Sequence, residues 1–261
     1  MNILVCVKHV PDTETRVKIA ADGLHLDLGE ANWVINPYDE FAVEEALQLK
    51  EKLGGEVTAM TVGTDEAIKT LRQALAMGAD KAVLLADGAF EGMDAAGVAK
   101  VLAAAAKKVP FDLVLCGKHA VGDDNQQVGN LVGQLLGIPA VTVVTGLTVN
   151  GADLTLKREI EGGTEVVAAK TPAVVTCQKG LNEPRYPSLK GIMAAKKKEV
   201  AVWKAADLGL DPATVGAAGT AFQLKKMELP PPRPAGKILA GEMPEQVKEL
   251  VRLLRDEAKV L

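Results

Sequence analysis

The residues best suited to chemistry lie in the run CGKHAVGDDNQQVGNLVG, from Cys116 to Gly133. It follows a short β-rich stretch and leads into a segment of helical period, so the amides and positive end of that helix are available to an anion such as phosphate. Asn125, Gln126 and Gln127 add neutral donors at the helix start, and Gly122 and Gly129 let backbone approach closely. Asp123 and Asp124 suit a second reading equally well, in which they cap the helix and nothing is bound. The sequence holds no GxGxxG and no GxxxxGK[ST], so a nucleotide here would rest on backbone amides without a P-loop lysine. His9, His25 and His119 are scattered, without the paired spacing of metal ligands, and no metal site is expected. With no GxSxG, no Cys/His arrangement and no paired acids, nothing points to hydrolysis, and no catalytic residue is assigned.

A nucleotide also needs a slot for its base, which in a doubly wound sheet lies at the carboxyl ends of the strands. Cys6-Val7-Lys8-His9, Met60 to Gly63 and Asn36-Pro37-Tyr38-Asp39 are the segments that can converge there. The last precedes a helix, where Asn, Pro and Asp are common as turn and capping residues. Lys196-Lys197-Lys198, with Lys190 and Lys179, make a basic segment that is either an ordinary solvated face or a means of steering an acidic partner. Just upstream, Tyr186 to Met193 reads as a loop bounded by Pro and Gly, with Leu189 either an anchor for a partner or core beneath the loop.

Positioning these residues falls to short β-rich runs, Ile3 to Val7, Val57 to Val62, Ala82 to Leu85, Leu113 to Cys116 and Ala140 to Thr145, alternating with helical segments. The order is largely βαβα, which predicts an α/β fold with a doubly wound, mostly parallel sheet. From Leu147 the texture shifts to alternating strands joined across Gly162-Gly163, an antiparallel addition. After Val200 clear period is lost. Pro230-Pro231-Pro232-Arg233-Pro234 favours extended chain, and Pro244 opens a helix with Val247, Leu250, Val251 and Leu254 on one stripe. The expected division is residues 1–225, a nucleotide-binding domain, and 226–261, a proline-rich linker with a C-terminal helical arm. The arm packs on its own domain or on a partner.

The chain has 261 residues, 48% hydrophobic, enough for a sizeable core. Aromatics at 3% and a net charge of −4 offer neither a stacking platform nor a basic footprint, so nucleic acid is not an expected partner. Cys6, Cys116 and Cys177 sit in or beside apolar runs without CxxC spacing and read as buried thiols in a reducing compartment. No apolar run approaches the roughly 20 residues that span a bilayer, and the first residues lack signal-peptide features. A cytoplasmic protein without membrane insertion is the expectation.

Arg158, Glu161, Gly162, Gly163, Glu165 and Pro172 to Thr176, followed by Leu181-Asn182-Glu183-Pro184-Arg185-Tyr186, resemble the signature of the electron transfer flavoprotein beta subunit. The likeness starts at ILVCVK and continues through INPYDEFAVEEALQLKEK, LRQALAMGADKAVLL, DLVLCGKHAVGDDNQQVG and REIEGG to AAKKKEV. The resemblance implies an adenine nucleotide α-hydrolase-like fold and a heterodimer with an alpha subunit that holds most of the contacts to FAD. It further implies a structural AMP in this subunit, at Cys6, Asn36, Pro37, Tyr38, Asp39 and Val62 and along Ala120, Val121, Gly122, Asp123, Asp124, Asn125, Gln126, Gln127, Val128 and Gly129. The implied route carries electrons from acyl-CoA-type dehydrogenases to a membrane quinone oxidoreductase. A recognition loop at about 181–198 would meet the dehydrogenase through Leu189, with Ile192 and Met193 beside it. Bifurcating relatives bind a second FAD in place of AMP and oxidise NADH; they carry a DGDTAQVGP-like loop, whereas GDDNQQVGN stands here, which favours AMP. A stand-alone nucleotide-binding stress-type protein of the same fold is the remaining alternative. Thr13 stands where relatives have a tyrosine near the flavin, which leaves Tyr38 as the nearest aromatic.

Overall fold

Strand β1 (Ile3–Cys6) is apolar on both faces, as a strand covered by helices on both sides must be. A computed structural model, which describes residues 1–233 and 235–261, shows how that burial is divided. Ile3 and Val5 pack with helices α1 (Pro37–Leu53) and α2 (Ile68–Met77) on one side of the sheet. Leu4 and Cys6 face α3 (Ala95–Ala106) and α4 (Val128–Leu136) on the other. The alternation is the period-two pleat read directly as two cores.

The remaining strands are β2 (His9–Pro11), β3 (Trp33–Ile35), β4 (Val57–Val62), β5 (Lys81–Leu85), β6 (Leu113–Gly117), β7 (Ala140–Asn150), β8 (Asp153–Ile160), β9 (Gly163–Lys170), β10 (Ala173–Cys177) and β11 (Val200–Trp203). With β1, eight of them form one nine-stranded sheet in the order β11-β5-β4-β1-β6-β10-β7-β8-β9, while β2 and β3 pair antiparallel on their own. From β11 to β7 neighbours run parallel, and β8 and β9 are added antiparallel. Strand order reverses between β1 and β6, which places the switch-point crevice of a doubly wound sheet at their carboxyl ends. The fold is therefore the α/β class expected.

Three expectations change. The hairpin turn is Glu161-Gly162, one residue earlier than expected, because Ile160 pairs with Gly163 and Gly162 takes φ +78°. A strand not named from the sequence, Val200 to Trp203, adds the parallel edge β11 beside β5. The segment expected as a recognition loop contains the helix α5 (Leu189–Lys197), capped by Ser188, whose hydroxyl accepts from the Gly191 amide at 3.0 Å.

The chain forms two compact units, one of residues 1–18 and 26–225, the other of residues 19–25 and 226–261. The second therefore gathers residues 19–25 along with the expected arm. It contains α6 (Met243–Arg252), opened by a reciprocal capping box between Glu242 and Glu245 and continued by a π turn at Leu253–Glu257. Pro234, the last residue of the expected proline run, lies outside the described residues. Among the described residues no helix is long and apolar enough to cross a membrane.

Candidate nucleotide site

Asp39, in the first turn of α1, does not cap its helix. Its two carboxylate oxygens accept the backbone N–H of Lys8 and of Gly117, each at 2.7 Å, and so tie the end of β1 to the end of β6 across the switch point. Asn36 is the residue before α1 but makes no capping bond either. Its amide nitrogen donates to the His119 carbonyl at 2.9 Å and its oxygen accepts from the Val121 amide at 3.2 Å. Both side chains are buried, and both hold the loop after β6 against the start of α1.

Two glycines make that closeness possible. A Cβ on Gly117 would lie 2.6 Å from the Asp39 carboxylate and 2.6 Å from the Tyr38 Cβ. On Gly129 it would meet the Thr176 methyl at 2.6 Å and the Cys116 sulfur at 2.8 Å, so glycine alone lets the first turn of α4 lie on the sheet. The loop reaches that turn through left-handed residues Gly122, Asp124 and Gln126. Asp123 and Asp124 do not cap α4: Gln127 occupies the cap position without a side-chain bond, Asp123 pairs with the Lys8 ammonium, and Asp124 lies 3.4 Å from His119 Nε2. The capping reading is overturned, and the first-turn amides of α4 keep no partner within the helix.

The result is a cleft of about 470 Å³. It brings together Cys6, Asn36, Asp39, Val62, Ala120, Asp123, Asn125, Gln127, Val128 and Gly129 from the sequence-derived set. Pro37, Tyr38, Val121, Gly122, Asp124 and Gln126 lie outside its wall and shape the loops instead. Tyr38 meets His119 edge-on at 4.4 Å, with the Lys118 ammonium 5.2 Å from its ring. Sequence reasoning missed the opposite wall, formed by Phe90, Met93, Val98 and Leu102. The signal was present, since Gly92-Met93-Asp94 is another strand-to-helix loop on the same edge, with Asp94 capping α3 through the Gly97 amide at 2.9 Å.

The cleft is lined by apolar Val62, Phe90, Val98 and Leu102 and by the first-turn residues Val128 and Gly129, with Lys118 and the Asp123-paired Lys8 beside them, and the buried His119 Nδ1 has no partner. Those residues fit a nucleotide. The cysteine thiols are not nucleophiles: burial, reinforced by Asp39, pushes the Cys6 thiol up to about 12, and burial raises Cys116 and Cys177 well above the thiol range. The three thiols are free and buried. Among the described residues no group of His, Cys, Asp or Glu could hold a metal ion.

Leu189, Ile192 and Met193 share one face of α5 and are exposed, Leu189 by 76%. Lys196 and Lys197 end the helix, but Lys198 is not a free surface charge, because its ammonium donates to the Ala79 carbonyl.

Residues 24–208 match the family model of the electron transfer flavoprotein domain. The chain is 47% identical to the electron transfer flavoprotein subunit beta of Bacillus subtilis over 264 residues, covering 100% of both chains. It is 38% identical to that of Sus scrofa over 100% of this chain and 99% of the relative. It is also 40% identical to the caffeyl-CoA reductase-Etf complex subunit CarD of Acetobacterium woodii, over 98% and 99% respectively.

Proposed function

The chain belongs to the electron transfer flavoprotein family as a beta subunit, part of an electron carrier, and on that premise we propose that its cleft holds a structural AMP. The observation that carries this reading is the convergence of Cys6, Asn36, Asp39, Val62 and the loop from Ala120 to Gly129 on one crevice at the switch point. Val128 and Gly129 offer first-turn amides to a phosphate, Asn125 and Gln127 add side-chain donors, and Val62 with Val98 and Leu102 offers an apolar surface to the base. A cleft of about 470 Å³ suits a mononucleotide better than FAD, which carries a second half of similar bulk.

The redox chemistry belongs to FAD in the heterodimer, held mainly by an alpha subunit. This chain encloses it from one side and presents Leu189, Ile192 and Met193 to an acyl-CoA-type dehydrogenase. Electrons then leave for a membrane quinone oxidoreductase, all in the cytoplasm or at its boundary. The likeness to a caffeyl-CoA reductase-Etf subunit supports a second reading, a bifurcating complex with FAD in this cleft and NADH as donor. Full-length identity to beta subunits leaves a stand-alone stress-type protein without support. The test is to offer the purified heterodimer acyl-CoA with its dehydrogenase, and separately NADH, while following flavin bleaching. Bleaching by the first alone supports the carrier; bleaching by NADH moves the reading to bifurcation.

A further inference from the structure

The segment leading into α5 exposes apolar groups while belonging to no helix or strand. Tyr186 is 96% exposed. A stretch of this kind keeps one conformation only if something outside it is spent on holding it. Arg185 supplies the tie. Its guanidinium forks onto Glu44, Nε to Oε2 at 2.8 Å and Nη2 to Oε1 at 3.0 Å, and its own backbone N–H donates to the same carboxylate at 3.2 Å. The fork extends to Glu51, about two turns further along the same face of α1. Asn182 adds bonds to Glu45 at 2.9 Å and to the Phe41 carbonyl at 3.0 Å.

The helix itself is held on α2 at both its first turn and its end. A Cβ on Gly191 would lie 2.3 Å from the Ala76 carbonyl oxygen, so α5 rests directly on the backbone of α2. Arg72 donates to the carbonyls of Ala195 and Lys198 and holds the helix end. With α5 seated on α2 from Gly191 in its first turn to its C-terminal end, what Arg185 places is the lead-in through Tyr186 to the Ser188 cap, and with it Leu189, the first residue of the helix.

Glu44 has a side chain only 4% exposed. Burial pushes its carboxyl up, and the Arg185 and Gln48 hydrogen bonds more than reverse this, so it stays charged. A carboxylate buried in an ion pair is weak evidence for stability, since apolar residues of similar volume often do as well.

We propose that Arg185, through Glu44 and Glu51, is a positioning residue that sets the exposed face of α5 for docking of the electron-donating dehydrogenase. This rests on the docking role given to Leu189 above. Lysine in its place keeps the charge and loses the fork.

The test uses the intact FAD-containing heterodimer as the varied acceptor for an acyl-CoA dehydrogenase supplied with acyl-CoA. Arg185→Lys should raise the KM for the flavoprotein about tenfold, with kcat, bound FAD and direct reduction by dithionite unchanged. In a Leu189→Ala background the same substitution should add less than about twofold, because the two residues act as one unit. An unchanged KM in Arg185→Lys, or effects that simply multiply in the double variant, overturns the positioning role. An unchanged KM in Leu189→Ala overturns the docking reading instead. Should Arg185→Lys fail to assemble, Glu51→Gln removes only the exposed arm of the clamp, and a KM raised by about threefold or more is expected from it; no rise overturns the proposal.

Discussion

Asp39 shows how much of the site hangs on single side chains. Burial pushes its carboxyl up to about 7, against the pull of the Gly117 and Lys8 amides. A carboxyl raised in this way contributes stability that is fully present below about pH 4 and is lost as pH rises through about 7. Melting of the heterodimer should therefore favour wild type over Asp39→Asn increasingly as pH falls from about 7 towards 4, and a gap that does not change with pH would refute it. Gly129→Ala, which drives a methyl into Thr176 and Cys116, should cost about 1–3 kcal/mol and release AMP while FAD stays bound, as measured by chromatography of the denatured complex. The sequence named both residues and read Gly129 as a place of close backbone approach, but it did not show what Asp39 does. Asn36 and Asp39 before a helix look like caps whatever they bond to, and their partners Val121 and Gly117 are distant in the chain.

Elements were legible where one apolar face repeats over several turns. α1 to α4 each bury a periodic stripe in one of two cores, while the central strands alternate between the two, and both patterns survive in the sequence. The antiparallel hairpin announced itself through Gly162, which the turn requires at φ +78°. β11 was missed because its four residues follow a lysine run and show no alternation of their own, and parallel pairing with β5 is a long-range fact. β2 and β3, at three residues each, are too short for any period to register. α5 was hidden by Pro187 ahead of it and Gly191 within its first turn; Gly191 is there for the close approach to Ala76 and not to break a helix. Its Ser188 cap is worth about 1 kcal/mol. Ser188→Ala should speed hydrogen exchange at the amides from Gly191 to Ala195 while leaving β1 and β6 protected, and equal protection across both would mean the cap does not set the helix start.

At the scale of the whole chain, the cleft and α5 lie in the first unit, while the second offers little beyond an exposed stripe of Met243, Val247, Leu250 and Val251 on α6. Truncation after Lys225 should leave the cleft residues intact and abolish association with the FAD-holding subunit in copurification; undiminished association would remove the arm from the heterodimer interface. The most direct measurement is to purify the intact heterodimer, denature it and quantify released FAD and AMP per complex. One FAD and one AMP are expected, and two FAD without AMP would contradict the account, giving the cleft at the β1–β6 switch point a working flavin in place of a structural nucleotide.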